Sequence, residues 1–204
     1  RDDLVERVER RLGGMALGAT TRRATPGEAT TAALMDRVRQ TGLAVLGWSS
    51  ASVSLRQRVE FLHRTVGEPW PDWSVDALVG KLDDWLAPYL PSAVGRPDLE
   101  RLDVAVVLRS QLPWPLGSQL DELAPERLQL PTGRSVPIDY GTGDDEPAAR
   151  VRVQDLFGTT AHPTVGDRPI VLHLLSPADR PIQITADLPG FWAGSWTDVR
   201  KELA

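Results

Sequence analysis

The stretch Leu174-Leu175-Ser176-Pro177-Ala178-Asp179-Arg180-Pro181-Ile182-Gln183-Ile184-Thr185-Ala186-Asp187-Leu188, running into Phe191-Trp192 and Val199-Arg200-Lys201-Glu202-Leu203, decides how this chain is read. Ile170, Leu172 and Leu174 recur at every second position, as do Ile182 and Ile184, the period of strands with one covered face. Between them Pro177 and Pro181 restrict the backbone and Asp179 is an ordinary turn residue, so Ser176 to Pro181 reads as a rigid strand-to-strand connection. Asp187 and Ser195 stand where successive N-caps would open two terminal helical segments, and Asp198 completes a capping box with Ser195. The pattern predicts strand, turn, strand, helix.

Working upstream, Leu128 and Leu130 precede a Pro131-Thr132-Gly133 turn, and Val136, Ile138 and Tyr140 alternate with polar neighbours after it. That is a hairpin. The acidic loop Gly141 to Pro147 leads to a strand at Arg150 to Val153, then to a turn of helix through Gln154-Asp155-Leu156-Phe157 closed by Gly158.

Before Glu126 the period becomes helical. Thr25-Pro26-Gly27-Glu28 reads as a helix start, with Thr25 as cap and Glu28 closing a capping box, and Gly42 ends that helix. Its inward stripe is Leu34 and Val38, joined by Thr31 and Met35. The next helix carries Leu55, Val59, Leu62 and Val66, with Arg56, Arg58, Glu60 and Arg64 off that stripe, and stops at Gly67. Ser74 caps a third, in which Leu78, Leu82, Trp85 and Leu86 share a face until Pro88. Asp98 or Asp103 opens a fourth, and a short helix spans Leu116 to Leu123. For Leu4 to Arg23 the pattern decides nothing: Leu4, Val8 and Leu12 suit a helix, and the interleaved charge of Val5 to Arg10 suits a strand.

A chain of 204 residues can bury roughly 70% of its unfolded surface, so no staples are needed. It has no cysteine, hence no disulfide and no thiolate metal site, which suits a bacterial cytosol. His63, His162 and His173 lie far apart with no i, i+4 pair, so no zinc set is assigned. Neither a long apolar run nor a signal core occurs, so no membrane span is expected. The net charge of −5 argues against a self-sufficient nucleic-acid grip and leaves room only for a local basic face. Arginine dominates the basic residues, lysine occurring only at Lys81 and Lys201.

No catalytic constellation emerges. Gly80-Lys81 is followed by Leu82 and lacks the earlier glycine of a phosphate-binding loop. Asp121-Glu122 follows no buried strand, and Ser176 with Asp179 and His173 lacks a nucleophile elbow. Asp83-Asp84 and Asp144-Asp145 read as solvated carboxylates. No residue is therefore assigned a catalytic or metal-binding role.

The opening stretch, together with Pro131-Thr132-Gly133 through Ile138-Asp139-Tyr140 and Val151-Arg152-Val153-Gln154-Asp155-Leu156-Phe157-Gly158, resembles the C-terminal region of HrpB-type ATP-dependent helicases of the DEAH-box group. Trp196 stands where that family commonly has Tyr, and the loop Gly143-Asp144-Asp145-Glu146 is longer. The resemblance implies an α+β fold, a helical array followed by a small mostly antiparallel β unit and a C-terminal helix. It implies residues 1–23 as terminal strands of an upstream OB-like unit, 24–125 as the helical region, and 126–204 as the β-rich C-terminal domain with its closing helix. The start without Met and the end inside a helical pattern are expected of a piece of a longer chain.

For that longer protein the resemblance implies ATP and magnesium, with no cofactor in this region, and a cytoplasmic location. The implied partners are the upstream helicase core of the same chain and single-stranded RNA or DNA. Arg150, Arg152, Arg180, Trp196, Arg200 and Lys201 are the candidate nucleic-acid contacts, because guanidinium groups beside aromatic faces hold phosphates and stacked bases. Against this stand a solvent-facing row for Arg150 and Arg152, and core packing for Phe191, Trp192 and Trp196. The expected role is noncatalytic: docking on the core and guiding nucleic acid, RNA first. A protein-interaction domain recruiting a partner to the helicase is the alternative, motivated by seven tryptophans and an acidic balance.

Overall fold

Residues 4–12 and 15–202 are described by the computed structural model. The chain divides into two units, residues 1–55 with 73–112, and residues 56–72 with 113–204.

In the first unit, β1 (Val5–Leu12) and β2 (Met15–Arg23) pair antiparallel, so the ambiguous opening segment is strand. Helix α1 (Glu28–Thr41) buries Leu34, Met35 and Val38 and ends at Gly42, whose φ of 77° needs a residue without Cβ. Its N-cap is Gly27, two residues later than expected; the Thr25 carbonyl instead accepts from the Thr30 hydroxyl at 2.6 Å. Helix α2 (Ser50–Thr65) carries the division between units at Leu55 and Arg56.

The single helix expected from Ser74 to Pro88 is two, α3 (Val75–Gly80) and α4 (Leu82–Trp85), followed by a 3-10 turn at Ala87–Tyr89. Gly80, a poor helix former, is the last residue before the break. Ser74 does cap α3, accepting from the Ala77 amide, and Leu78, Leu82, Trp85 and Leu86 are all buried. Both candidate aspartates open helices: Asp98 accepts from the Val94 and Gly95 amides at α5 (Arg96–Arg101), and Asp103 caps α6 (Val104–Ser110). Gly47 donates to the Leu99 carbonyl at 3.1 Å, and a Cβ there would lie 2.1 Å from the Glu100 carbonyl oxygen.

The second unit holds α7 (Trp114–Leu123) and the hairpin β3 (Arg127–Gln129) and β4 (Ser135–Pro137), as the alternation predicts. After β5 (Ala148–Arg152) comes a 3-10 turn at Val153–Leu156, then a two-residue hairpin of β6 (Thr164–Val165) and β7 (Arg168–Pro169) too short to leave a readable period. Strands β8 (Val171–Leu175) and β9 (Pro181–Thr185) flank the rigid turn, and α8 (Leu188–Ala193) and α9 (Trp196–Glu202) close the unit. The largest sheet has the order β5-β8-β9. Its β8 and β9 are antiparallel like every other described pair, whereas β5 and β8 run parallel, residues 153–170 supplying the crossover such a pair requires.

Residues expected off the apolar stripe of α2 behave differently. Arg56, Arg58 and Glu60 are all buried, and Val66 lies past the helix and is exposed. Arg58 has 0% exposure. Its Nε donates to the Ala124 carbonyl at 2.5 Å, Nη1 to Glu126 at 2.9 Å, and Nη2 to Asp121. Arg56 donates to Glu60 at 2.8 Å one turn along the helix. Helical spacing identified the apolar stripe but could not show that the opposite flank is covered as well.

Two outcomes follow for chemical denaturation. Truncating both carboxylates, D121A with E126A, leaves a buried guanidinium without counter-charge and costs about 3–5 kcal/mol. Arg58→Met leaves chiefly the Ala124 carbonyl orphaned and costs about 1–3 kcal/mol; the reverse ranking would contradict the assignment. In the first unit, Gly47→Ala forces backbone apart and costs about 1–3 kcal/mol, read as a lower unfolding midpoint.

Candidate nucleic-acid interface

Strand β5 points Ala149 and Val151 inward and Arg150 and Arg152 outward, the alternation expected of a sheet with one covered face. Register extends the outward row: Arg150 pairs with His173 on β8, and His173 pairs with Ile184 on β9. Leu172 and Leu174 lie on the covered side, while Ile184 is 63% exposed. Across the three strands the open face therefore presents a cation, an imidazole and an apolar side chain in one row.

Two residues further along β5, Arg152 grips Asp179 with two bonds of 2.7 Å, Nε to Oδ1 and Nη2 to Oδ2. Asp179 has φ 59° in the turn, which Ser176 closes: its amide donates to the Arg180 carbonyl, and its hydroxyl accepts from the Arg180 amide at 3.1 Å. The Arg152 bond, with the nearby charges of Arg152, Arg134 and Arg150, holds the Asp179 carboxyl below the usual carboxylate range. Arg134, from the β3–β4 turn, donates to Asp155 at 3.2 Å, and Asp155 is only 7% exposed. Arg152 and Arg134 thus each hold one carboxylate. The side chains of Arg150 and Arg180 are exposed and have no hydrogen-bond partner among the described residues.

The remaining candidates lie elsewhere in the unit. Trp196 is one of four packed rings: it meets Trp192 at 5.5 Å and 90°, Phe157 at 5.5 Å and Phe191 at 6.1 Å. Trp192 donates its indole N–H to the Thr159 carbonyl at 3.1 Å, and Phe191 is buried. Arg200 is exposed on α9, and the side chain of Lys201 lies outside the described residues. The candidates therefore form two groups, Arg150, Arg152 and Arg180 at the sheet, and Trp196 with Arg200 on the terminal helices.

His162 ties these parts together. Its Nδ1 accepts from the Leu188 amide at 3.0 Å, so Nε2 carries the proton and donates to the Ile170 carbonyl at 2.8 Å, joining the start of α8 to the entry of β8. His63 likewise bonds the Trp70 carbonyl through Nδ1 at 2.8 Å. Among the described residues no three His, Asp or Glu side chains converge as a metal-ligand set. Gly80 is the last residue of a helix and Lys81 the break after it, and Asp121 and Glu122 lie in α7, so the residues present do not fit a nucleotide phosphate. Sequence reasoning missed Arg134, His173 and Ile184 as members of the open face. Only strand register could have placed the last two beside Arg150.

An α+β chain of this design, with an arginine-edged sheet, matches the family model "ATP-dependent helicase C-terminal" of the HrpB type over residues 85–204. The chain belongs to that HrpB C-terminal family. It is 37% identical over 174 residues to the ATP-dependent RNA helicase HrpB of Escherichia coli, covering 84% of this chain and 21% of that protein. Among solved structures it resembles the E. coli DExH-box NTPase HrpB, with a TM-score of 0.80, 33% identity, and coverage of 99% of this chain and 26% of that one. A second structure, of the Escherichia coli DEAH/RHA helicase HrpB, gives a TM-score of 0.74 and 32% identity over 98% of this chain and 27% of its own. The chain spans about a fifth to a quarter of the length of these relatives. Among the described residues no helix is long and apolar enough to cross a membrane.

The clasp between Arg152 and Asp179 has a titration signature. Because the carboxyl of Asp179 is held below its ordinary value, its contribution is complete above the usual carboxylate range and fades as pH falls through the lowered midpoint. A carbon-detected NMR titration should show Asp179 protonating below 3.8, its ordinary value. In Arg152→Gln the midpoint should move back up.

Proposed function

We propose that this chain is a noncatalytic C-terminal accessory region of an ATP-dependent HrpB-type helicase, which docks on the helicase core and helps guide nucleic acid, RNA in particular. The family match over residues 85–204 carries the reading. The name of the 37% identical relative, an ATP-dependent RNA helicase, supports RNA as the strand. NTP hydrolysis, with ATP and magnesium, belongs in this reading to the part of the protein outside this chain. In this reading strands β1 and β2 are the last strands of an upstream OB-like unit ending at residue 23, as the family resemblance implies. Residues 24–125 form the helical region and residues 126–204 the β-rich domain.

A second reading, a surface that recruits a protein partner, draws on Trp114. It stands at the first turn of α7 between Pro113 and Pro115 and is 83% exposed. Exposed tryptophan is a common anchor of protein interfaces.

The test compares the full helicase with a version lacking this region. Deletion is expected to preserve NTP hydrolysis while weakening RNA affinity and strand-stimulated turnover; unchanged RNA affinity and stimulation would contradict guidance. Trp114→Ala is expected to leave both unchanged, and a partner lost from pull-downs with that variant would favour the second reading.

A further inference from the structure

Outside the groups already used structurally, the open face of the β5-β8-β9 sheet is the best-defined unpartnered surface. We infer that this face is a track for the sugar-phosphate backbone of a single RNA strand, held by Arg150 and Arg180, with Arg134 at its rim and Ile184 and His173 as its floor. The inference rests on the guidance reading above and names where on the chain guidance occurs.

Arg134 and Arg152 are neutralised by Asp155 and Asp179, so their guanidinium groups are fixed in place by ion pairs of 3.2 and 2.7 Å. Arg150 and Arg180 carry no such partner, although the chain as a whole is acidic with net charge −5. Two exposed arginines without an ion pair, Arg150 in the middle of β5 and Arg180 just before β9, are a local complement to phosphate on an acidic protein.

Arg150, His173 and Ile184 occupy one register row, and adjacent strands are about 4.8 Å apart, so the row spans roughly 10 Å from β5 to β9. Pro181 pairs with Leu175, which pairs with Arg152, so Arg180 sits at the end of the same sheet. An exposed isoleucine and an imidazole in the same row as Arg150 can accept a ribose or base face without sequence preference. The aromatic group around Trp196 fits stacking less well, because three ring neighbours already occupy it. Contacts made to phosphate hold a strand and read no bases.

The experiment measures fluorescence anisotropy of labelled oligouridylate and oligoadenylate with the 204-residue chain over a salt series. Circular dichroism checks that each variant is folded. Wild type is expected to bind at low salt with similar affinity for both oligomers. Arg150→Gln with Arg180→Gln is expected to weaken both equally and to lower the slope of log K against log salt by about 0.7 for each phosphate contact removed. Arg101→Gln, on an exposed helix of the first unit, should bind as wild type.

If the double variant binds as wild type while W196A or R200Q loses affinity, the track lies on the terminal helices: the inference falls and guidance stands. If the double variant loses affinity for the helicase core and keeps RNA binding, the face is a protein-docking surface and the inference is overturned. If wild type binds neither oligomer at low salt, the nucleic-acid part of the guidance reading fails as well.

Discussion

Everything in the second unit is referred to one guanidinium that no water reaches. Arg58 donates along the segment that leaves α7, to Asp121, to the Ala124 carbonyl and to Glu126. The Tyr140 hydroxyl takes the carbonyl between them, Pro125, at 2.7 Å, and the Tyr140 ring meets Phe61, one helical turn from Arg58, at 5.1 Å. Burial raises the Tyr140 phenol well above its ordinary range, so it stays a neutral donor. Helix and hairpin thereby hold six consecutive residues from two sides. Removing a charged group from water costs several kcal/mol unless its donors are satisfied, and here three partners share them.

That constraint reaches the open sheet by a short path. The gripped segment leads into β3, and two residues past β4 Asp139 exchanges backbone bonds of 2.7 and 2.8 Å with Ala148 at the start of β5. Strand β5 carries Arg150 and Arg152. The direction in which those arginines face is therefore set by packing some distance from the surface they occupy. The Asp179 clasp and the His162 bridge then hold the far strand and the terminal helices to the same sheet.

Much of this was legible from residue order, for physical reasons that differ by element. Alternation in Val136-Pro137-Ile138 and Ile182-Gln183-Ile184 announces strands because a pleat has period two. Ser74, Asp103 and Asp187 announce helix starts because their side chains accept from amides the helix leaves free. What stayed illegible depends on partners distant in sequence. Arg58 looks like any surface arginine until Asp121 and Glu126 are brought beside it. The β5–β8 pairing is parallel, and no local pattern distinguishes that from antiparallel. In the candidate site, Arg150, Arg152 and Arg180 could be picked out as residues, but the neighbours that make them a surface, His173 and Ile184, come only from register.

The buried arginine also sets a timetable for synthesis. Its carboxylate partners lie 63 and 68 positions later in the chain, so a ribosome adding roughly 5–20 residues per second delivers them about 3–14 seconds after Arg58. Through that interval Arg58 is without the three partners that satisfy it in the folded protein. The first unit, which takes in α2 up to Leu55, has all its residues once residue 112 is made, whereas the second unit, with Arg58, needs the residues that follow.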